Sequence, residues 1–261
     1  MTSFWDSLAV LARFPDTAMA LPWAWRDTGE VLEVRDAFHR TLEAEYEQAA
    51  LVQAAGRLTE PAVAMVAADR ALGDLLGLLA GQPDDILDVE PLAGEWALRK
   101  VLHHALEVEL SFACNTRWAV ERADTDSLRP SDELREREST APAEGSVDEI
   151  MRRLIAARTA TTRFAATLQP AQLTRPTIWA SHDVDVRFRL HRFASHLTEH
   201  TIQVEKVLHA LNRDPAEARQ MVRAIWSARA AHERHSAMED VARLDHALAE
   251  RAAQVTARVA G

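Results

Sequence analysis

Apolar positions recur along the chain mainly at three- and four-residue spacing, the period of amphipathic helices, and glycine and proline mark the breaks. The pattern predicts a short helix over 3–13 that stops before Pro15 and a packed irregular segment over 15–28 carrying Trp23 and Trp25. A long helix follows from Glu30 to about Ala55, ended by Gly56. Thr59 caps the next helix, with Pro61 in the first turn, where its missing N–H costs least, and that helix runs to about Gly81. Residues 82–95 form a loop. Trp96 to about Arg122 is a second long helix. Residues 123–146 are polar and rich in Ser, Pro and charge, the longest loop-like stretch in the chain. Ser146, with Glu149 three residues on, makes a capping box for a helix that ends near Leu168. Residues 177–186, with β-branched and polar side chains, are expected to be irregular. His191–Leu211 lies in another long helix, Pro215 opens a helix to about His235, and Met238–Val259 forms the last. The expected fold class is all-α.

Helical phase at about 100° per residue sorts the histidines. On the helix holding 190–211, Leu190, Phe193, His196, Leu197, His200 and Val204 fall on one stripe, while His191 and His209 face away. On the helix from Trp96, His104 shares its stripe with Val101, Ala105, Val108 and Phe112, and His103 points elsewhere. His196 and His200 stand one turn apart, close enough to bind one ion. A single histidine on an apolar face is usually a satisfied core residue. Three on two core-facing stripes change that, because burying three imidazoles without a shared partner is expensive. Three neutral imidazoles plus water make a competent catalytic-type zinc site. The sequence has no His-Glu-x-x-His and no Glu-x-x-His, which excludes the zincin protease and the di-iron bundle patterns. His232 and His235 sit in a strongly polar stretch and are read as a solvated face.

Composition narrows the function classes. Apolar residues make up 48% and charged residues 27% of 261, ordinary globular values that exclude a disordered chain. A net charge of −10 gives no support to a phosphate-backbone partner, so no nucleic acid is expected. No run of 18 apolar residues occurs, so no transmembrane helix and no membrane partner are expected. The single Cys114 excludes an internal disulfide framework and a Cys-rich zinc site. With no signal-peptide pattern at the start, the expected compartment is the cytoplasm. Of 30 basic residues only Lys100 and Lys206 are lysines, a balance that suggests a GC-rich genome.

Two stretches carry a family resemblance. PLAGEWALRKVLHHALEVE resembles the second helix of the DinB/YfiT-like family, a Gly-x-Trp opening and then a histidine eight residues after the Trp, here His104. RFASHLTEHTIQVEKVLHAL resembles the family's last core helix, His-x-x-x-His-x-x-Gln, here His196, His200 and Gln203. The Gly that commonly precedes the Gln is replaced by Ile202. The resemblance covers about 59–212. It implies a four-helix bundle with a long crossover after the second core helix, and one divalent metal on His104, His196 and His200. A helix of about 26 residues is roughly 39 Å long, and residues 123–146 suffice to return along it at roughly 3.3 Å per residue. The expected organisation is an N-terminal helical extension over 1–58, the bundle over 59–212 and a C-terminal helical extension over 213–261. The terminal helices leave room for a homodimer.

Family members similar to this are metal-dependent thiol S-transferases, isomerases that use mycothiol, and a bundle serving ergothioneine synthesis. The implied function is therefore a divalent-metal-dependent transferase, with Zn²⁺ or Ni²⁺, whose partners are a low-molecular-weight thiol such as mycothiol or bacillithiol and an electrophile. A metal with an open position would depress the pKa of the thiol, so Cys114 is not required as nucleophile. Glu107, Glu199 and Gln203 are orienting candidates, Trp96 reads as a packing residue, and Arg187 and Arg189 are candidates to bind a carboxylate of the thiol. No side chain is assigned as catalytic. The alternative is a non-catalytic metal-binding stress or interaction bundle. A hydrolase is disfavoured because the histidine stripes carry no general base.

Overall fold

The computed structural model describes residues 3–25, 29–56 and 58–260. In chain order the elements are α1 (Phe4–Leu11), α2 (Asp16–Met19), β1 (Pro22–Ala24), β2 (Val31–Glu33), α3 (Val34–Ala54), α4 (Glu60–Leu79), α5 (Leu98–Glu121) and α6 (Asp132–Ser139). They continue with α7 (Val147–Ala165), α8 (Pro170–Leu173), β3 (Pro176–Trp179), β4 (His182–Asp185), α9 (Val186–Ala210), α10 (Glu217–Ala230) and α11 (Met238–Ala260). The fold is all-α apart from two small antiparallel hairpins, β1–β2 and β3–β4. The chain divides into two units, one from 58–72 with 84–211, the other from 1–57, 73–83 and 212–261. Among the described residues no helix is long and apolar enough to cross a membrane.

The first of these units is a four-helix bundle of α5, α7, α9 and residues 60–72 of α4. Small side chains from α4 (Ala64, Ala68), α5 (Ala119) and α7 (Ala165) let Leu190 and Phe193 of α9 fill the centre. Short polar side chains set the helix starts. Ser146 Oγ accepts the Glu149 N–H at 3.2 Å while Glu149 Oε2 accepts the Ser146 N–H at 2.8 Å, the predicted capping box of α7. Asp185 accepts the Phe188 N–H at 2.8 Å and starts α9. Residues 122–146 connect α5 to α7, and three side chains strap the end of this crossover down. Arg99 pairs with Asp88 at 2.6 Å and donates to the Gly145 carbonyl at 2.7 Å. Arg153 donates to the Pro142 carbonyl at 3.1 Å, and His103 Nε2 bonds the Ala141 carbonyl at 2.9 Å.

Three local expectations are corrected. The crossover is not all loop: α6 sits inside it, started by Ser131, whose Oγ accepts the Leu134 N–H at 3.2 Å, with Asp132 and Glu133 in the first turn and Arg137 in the last. Capping and dipole-matched charges make this helix, and it lacks the apolar stripe that periodicity detects. Residues 176–185 form a regular hairpin with Trp179 opposite His182. Ala180 takes a left-handed φ of 53° in its two-residue turn, a place where glycine or asparagine is the usual signal. The 15–28 segment holds α2 and β1, and its residues 26–28 lie outside the described residues.

In the second unit α3 packs on α10 and α11, and α1 packs on the same two helices. The last turns of α4 lie against α10 so closely that a Cβ on Gly77 would fall 2.5 Å from the Arg223 Cα. His232 follows α10, and here the solvated-face expectation fails: it is fully buried, 2.7 Å from Glu45 Oε2 and 3.0 Å from Ser236 Oγ. Its carboxylate partner comes from distant sequence, so the polar stretch around it gave no sign of the burial. His235 is exposed as expected.

Candidate metal centre

α5 and α9 lie side by side in the bundle and bring three imidazoles together. His196 and His200, both buried, come from successive turns of α9, and half-buried His104 comes from α5. One ligand nitrogen from each of the three lies within 4.8 Å of the others. The Nε2 atoms of His196 and His200 are 2.9 Å apart, and the ring centroid of His104 is 5.1 Å from that of His200. Two nitrogens at about 2.0–2.1 Å from a tetrahedral ion stand about 3.3–3.4 Å apart, so the pair is within about half an ångström of ligand spacing. The donor set is all nitrogen, which suits borderline ions such as Zn²⁺ and Ni²⁺.

The surroundings favour the neutral form of His196 and His200. His200 Nδ1–H donates to Gln203 Oε1 at 3.1 Å, which leaves the Nε2 lone pair facing the other rings. Burial, and then the neighbouring His200 and Arg192, push the pKa of His196 down to about 3. Burial also lowers that of His200. Trp96 meets His104 edge-on at 5.4 Å, and the Phe112 ring lies 5.3 Å from His196. Such rings exclude water from the flanks of the donor set. Phe112 in turn packs on Phe193 at 5.6 Å, whose face carries the Arg158 guanidinium at 4.7 Å. Arg158 is fully buried and pairs with Glu109 at 2.5 Å, while Asp69 lies 3.9 Å from its Nε. Thr161 and Thr162 donate to Glu109 and Asp69, each at 3.3 Å. Sequence reasoning did not single out this ionic layer. Its signal was an arginine and two carboxylates on core-facing stripes, which periodicity treats as polar exceptions.

Residues 67–204, 138 of the 261, match the family model of the DinB superfamily. The chain belongs to the DinB superfamily. Among solved structures this DinB-superfamily chain is similar to YfiT from Bacillus subtilis, described as a probable metal-dependent hydrolase with an unusual four-helix bundle topology. The two are 16% identical over 59% of this chain and 90% of that one, with a TM-score of 0.48. No curated protein matches the chain.

The remaining predicted residues divide. Gln203 is where an orienting residue is needed. Glu107 lies 3.6 Å from His103, and Glu199, exposed, lies 3.5 Å from Arg192. Trp96 packs on His104 and also carries the Lys100 ammonium at 4.5 Å. Arg187 pairs with Glu60 on the surface, whereas Arg189 is buried. Cys114 lies half-buried on α5 in a cavity of about 340 Å³ that it shares with Trp118 and Leu134. Burial, and then Glu138, push its thiol pKa up, the opposite of what a nucleophilic thiol needs.

Proposed function

We propose that the chain is a divalent-metal-dependent transferase, using Zn²⁺ or Ni²⁺ in the cytoplasm, that activates a low-molecular-weight thiol such as mycothiol or bacillithiol for attack on an electrophile. The observation that carries this reading is the convergence of three imidazoles, one of which, His200, is hydrogen-bonded to an amide rather than to a carboxylate. Three neutral ligands leave the full charge of a dication uncompensated. When bound, the ion supplies that charge and an open position, which together depress the pKa of a thiol brought beside it.

The side chains supply the rest. His196 stays unprotonated, and therefore able to donate its lone pair, well below neutral pH. Gln203 holds His200 in one tautomer. Trp96 and Phe112 shield the flanks, and half-buried His104 marks the side open to reactants. In the reaction the thiol loses its proton to solvent, its sulfur bonds to the electrophilic carbon, and the bond from that carbon to its leaving group breaks, the group departing with the electron pair as an anion (halide in the assay below). Glu107 and Glu199 lie beside His103 and Arg192 rather than hydrogen-bonded to one of the three histidines, which favours transfer over hydrolysis assisted by a general base.

The test is a transfer assay on the full chain loaded with zinc or nickel, pairing each thiol with a chromogenic aryl halide. The expected result is metal-dependent thioether formation that is lost in His196→Ala. Metal-dependent hydrolysis without thiol consumption would replace the reading with a hydrolase. One bound metal with neither product would replace it with the non-catalytic bundle.

A further inference from the structure

Phe112, whose ring touches His196, also lines a cavity of about 220 Å³ between α5, the crossover, the β3–β4 hairpin and the start of α9. Three guanidinium groups face this space: Arg129 and Arg135 from the crossover and Arg189 from α9. None of the lining residues is a carboxylate. That is unexpected in a chain of net charge −10.

Two of the three arginines, Arg129 and Arg189, have no carboxylate partner among the described residues, and the third, Arg135, has one on only part of its guanidinium. Arg189 is only 4% exposed, yet its hydrogen bonds go to neutral oxygens, Thr177 Oγ1 at 3.1 Å and the Ile178 carbonyl. Burial, and then repulsion from Arg129, push its pKa down to about 10. Arg135 pairs with Asp132 through Nη2, but its Nε is shielded from solvent with no hydrogen-bond partner. Arg129 has no ion-pair partner among the described residues. A desolvated guanidinium facing another one is costly, and an oxyanion that bridges them removes that cost. The lining also holds apolar surface from Phe112, Ile178 and Trp179, beside Ser111 and Asn115, and Arg192 lies over the Trp179 ring at 5.2 Å.

We infer that this cavity binds a small organic carboxylate, its head on Arg129, Arg135 and Arg189 and its flat apolar body against Phe112 and Trp179. The site contains none of the three histidines and stands whether or not they hold a metal. Inorganic phosphate shares the head-group chemistry but has no body for the aromatic wall.

Calorimetric titration of the full chain with phenylacetate, and separately with inorganic phosphate, tests this. Phenylacetate is expected to bind one to one at millimolar concentration or below and to weaken with salt. In Arg129→Gln/Arg135→Gln its affinity falls by at least about ten-fold, the loss expected when charge-assisted hydrogen bonds are removed. Arg129 is exposed, so the single Arg129→Gln variant keeps the test open if the double variant melts early. Unchanged affinity in a folded variant overturns the assignment, as does no binding of phenylacetate at all. Binding that survives the arginine substitutions but is lost in His196→Ala would place the carboxylate at the histidines, which also overturns it and leaves the metal reading intact. Phosphate binding as tightly as phenylacetate would overturn the organic ligand in favour of a bare oxyanion.

Discussion

Buried histidines occur in both units of the chain, and they are buried on different terms. His232 is fully enclosed and its needs are met: Glu45 takes one ring nitrogen at 2.7 Å and Ser236 the other at 3.0 Å. Arg229 joins the same carboxylate at 3.0 Å and reaches Asp245 at 2.7 Å, so an ionic network adjoins the ring. His196 and His200 have no such carboxylate. Their Nε2 atoms face each other at 2.9 Å, and among the described residues the one side-chain bond leaving the pair runs to an amide. Burial alone therefore does not mark a ligand. What separates the two cases is whether the lone pairs already have a proton to meet. Two nitrogens facing each other at 2.9 Å can share one proton or, with that proton gone, hold a cation between them, whereas a histidine hydrogen-bonded to a carboxylate has no lone pair left to offer.

The sharpest break of this comparison is metal stoichiometry. Wild type and His232→Ala are each expected to bind one equivalent of zinc or nickel by elemental analysis after loading, and His200→Ala none. Equal stoichiometry in His200→Ala and wild type would show that His200 is not a ligand. Gln203→Leu keeps the ligands and frees the tautomer, so its affinity should drop by about 10–100-fold, the usual cost of losing an outer hydrogen bond to a ligand.

The next effect concerns stability. Glu45→Ala leaves Arg229 with Asp245 alone and His232 with Ser236 alone, in a space where both are shut off from water. Breaking a buried pair from one side costs about 3–5 kcal/mol. Glu109→Gln in the bundle should cost less. Burial already pushes the Glu109 carboxyl pKa up, so its charged form is less favoured to begin with, and Gln still accepts from Thr161. Urea denaturation of the two variants ranks them; a larger loss in Glu109→Gln would reverse the ordering of the two networks.

The pH dependence follows from the two depressed histidine pKa values. Unfolded histidine takes up a proton near its ordinary 6.5, whereas folded His196 does so only near about 3. Between these values the unfolded chain binds more protons, so the metal-free protein loses stability as pH falls through that window and keeps its full value above it. His200 acts in the same direction. Melting temperatures of the chelated protein against pH, compared with His196→Leu, should show a flatter acid limb in the variant. Parallel limbs would mean that His196 is not held neutral by its surroundings.

How much of this was legible in the sequence depends on the range of the interaction. The helices of the bundle, the Ser146–Glu149 box and the inward phase of His104, His196 and His200 follow from spacing within one helix, and the structure reproduces them. Gln203 was legible through the family resemblance, whose motif places it three residues from its partner. The Glu45–His232 pair was not, because the two residues are 187 positions apart and each reads as polar in its own window. The Arg129–Arg135–Arg189 cavity also joins distant segments, although Arg189 lies seven residues before His196 and so shares its helical face, a sign of burial that the charge obscured.

The β3–β4 hairpin escaped notice for a narrower reason, and that reason is measurable. Its strands hold four register pairs, from Pro176–Asp185 to Trp179–His182, but its turn carries Ala180 at φ 53° where a glycine or asparagine would have announced it. An L-residue in the left-handed region costs about 1–2 kcal/mol, and glycine in exchange gives up about 0.5–1 kcal/mol of backbone entropy. Ala180→Gly should therefore stabilise the chain by about 0.5–1 kcal/mol. Asn212, at φ 55° just past the end of α9, is the control: asparagine already tolerates this conformation, so Asn212→Gly should change stability by less. Denaturation midpoints of the two variants under one condition decide it. A destabilised Ala180→Gly would mean that the alanine methyl, which also lines the arginine cavity, packs against something worth more than the strain it carries.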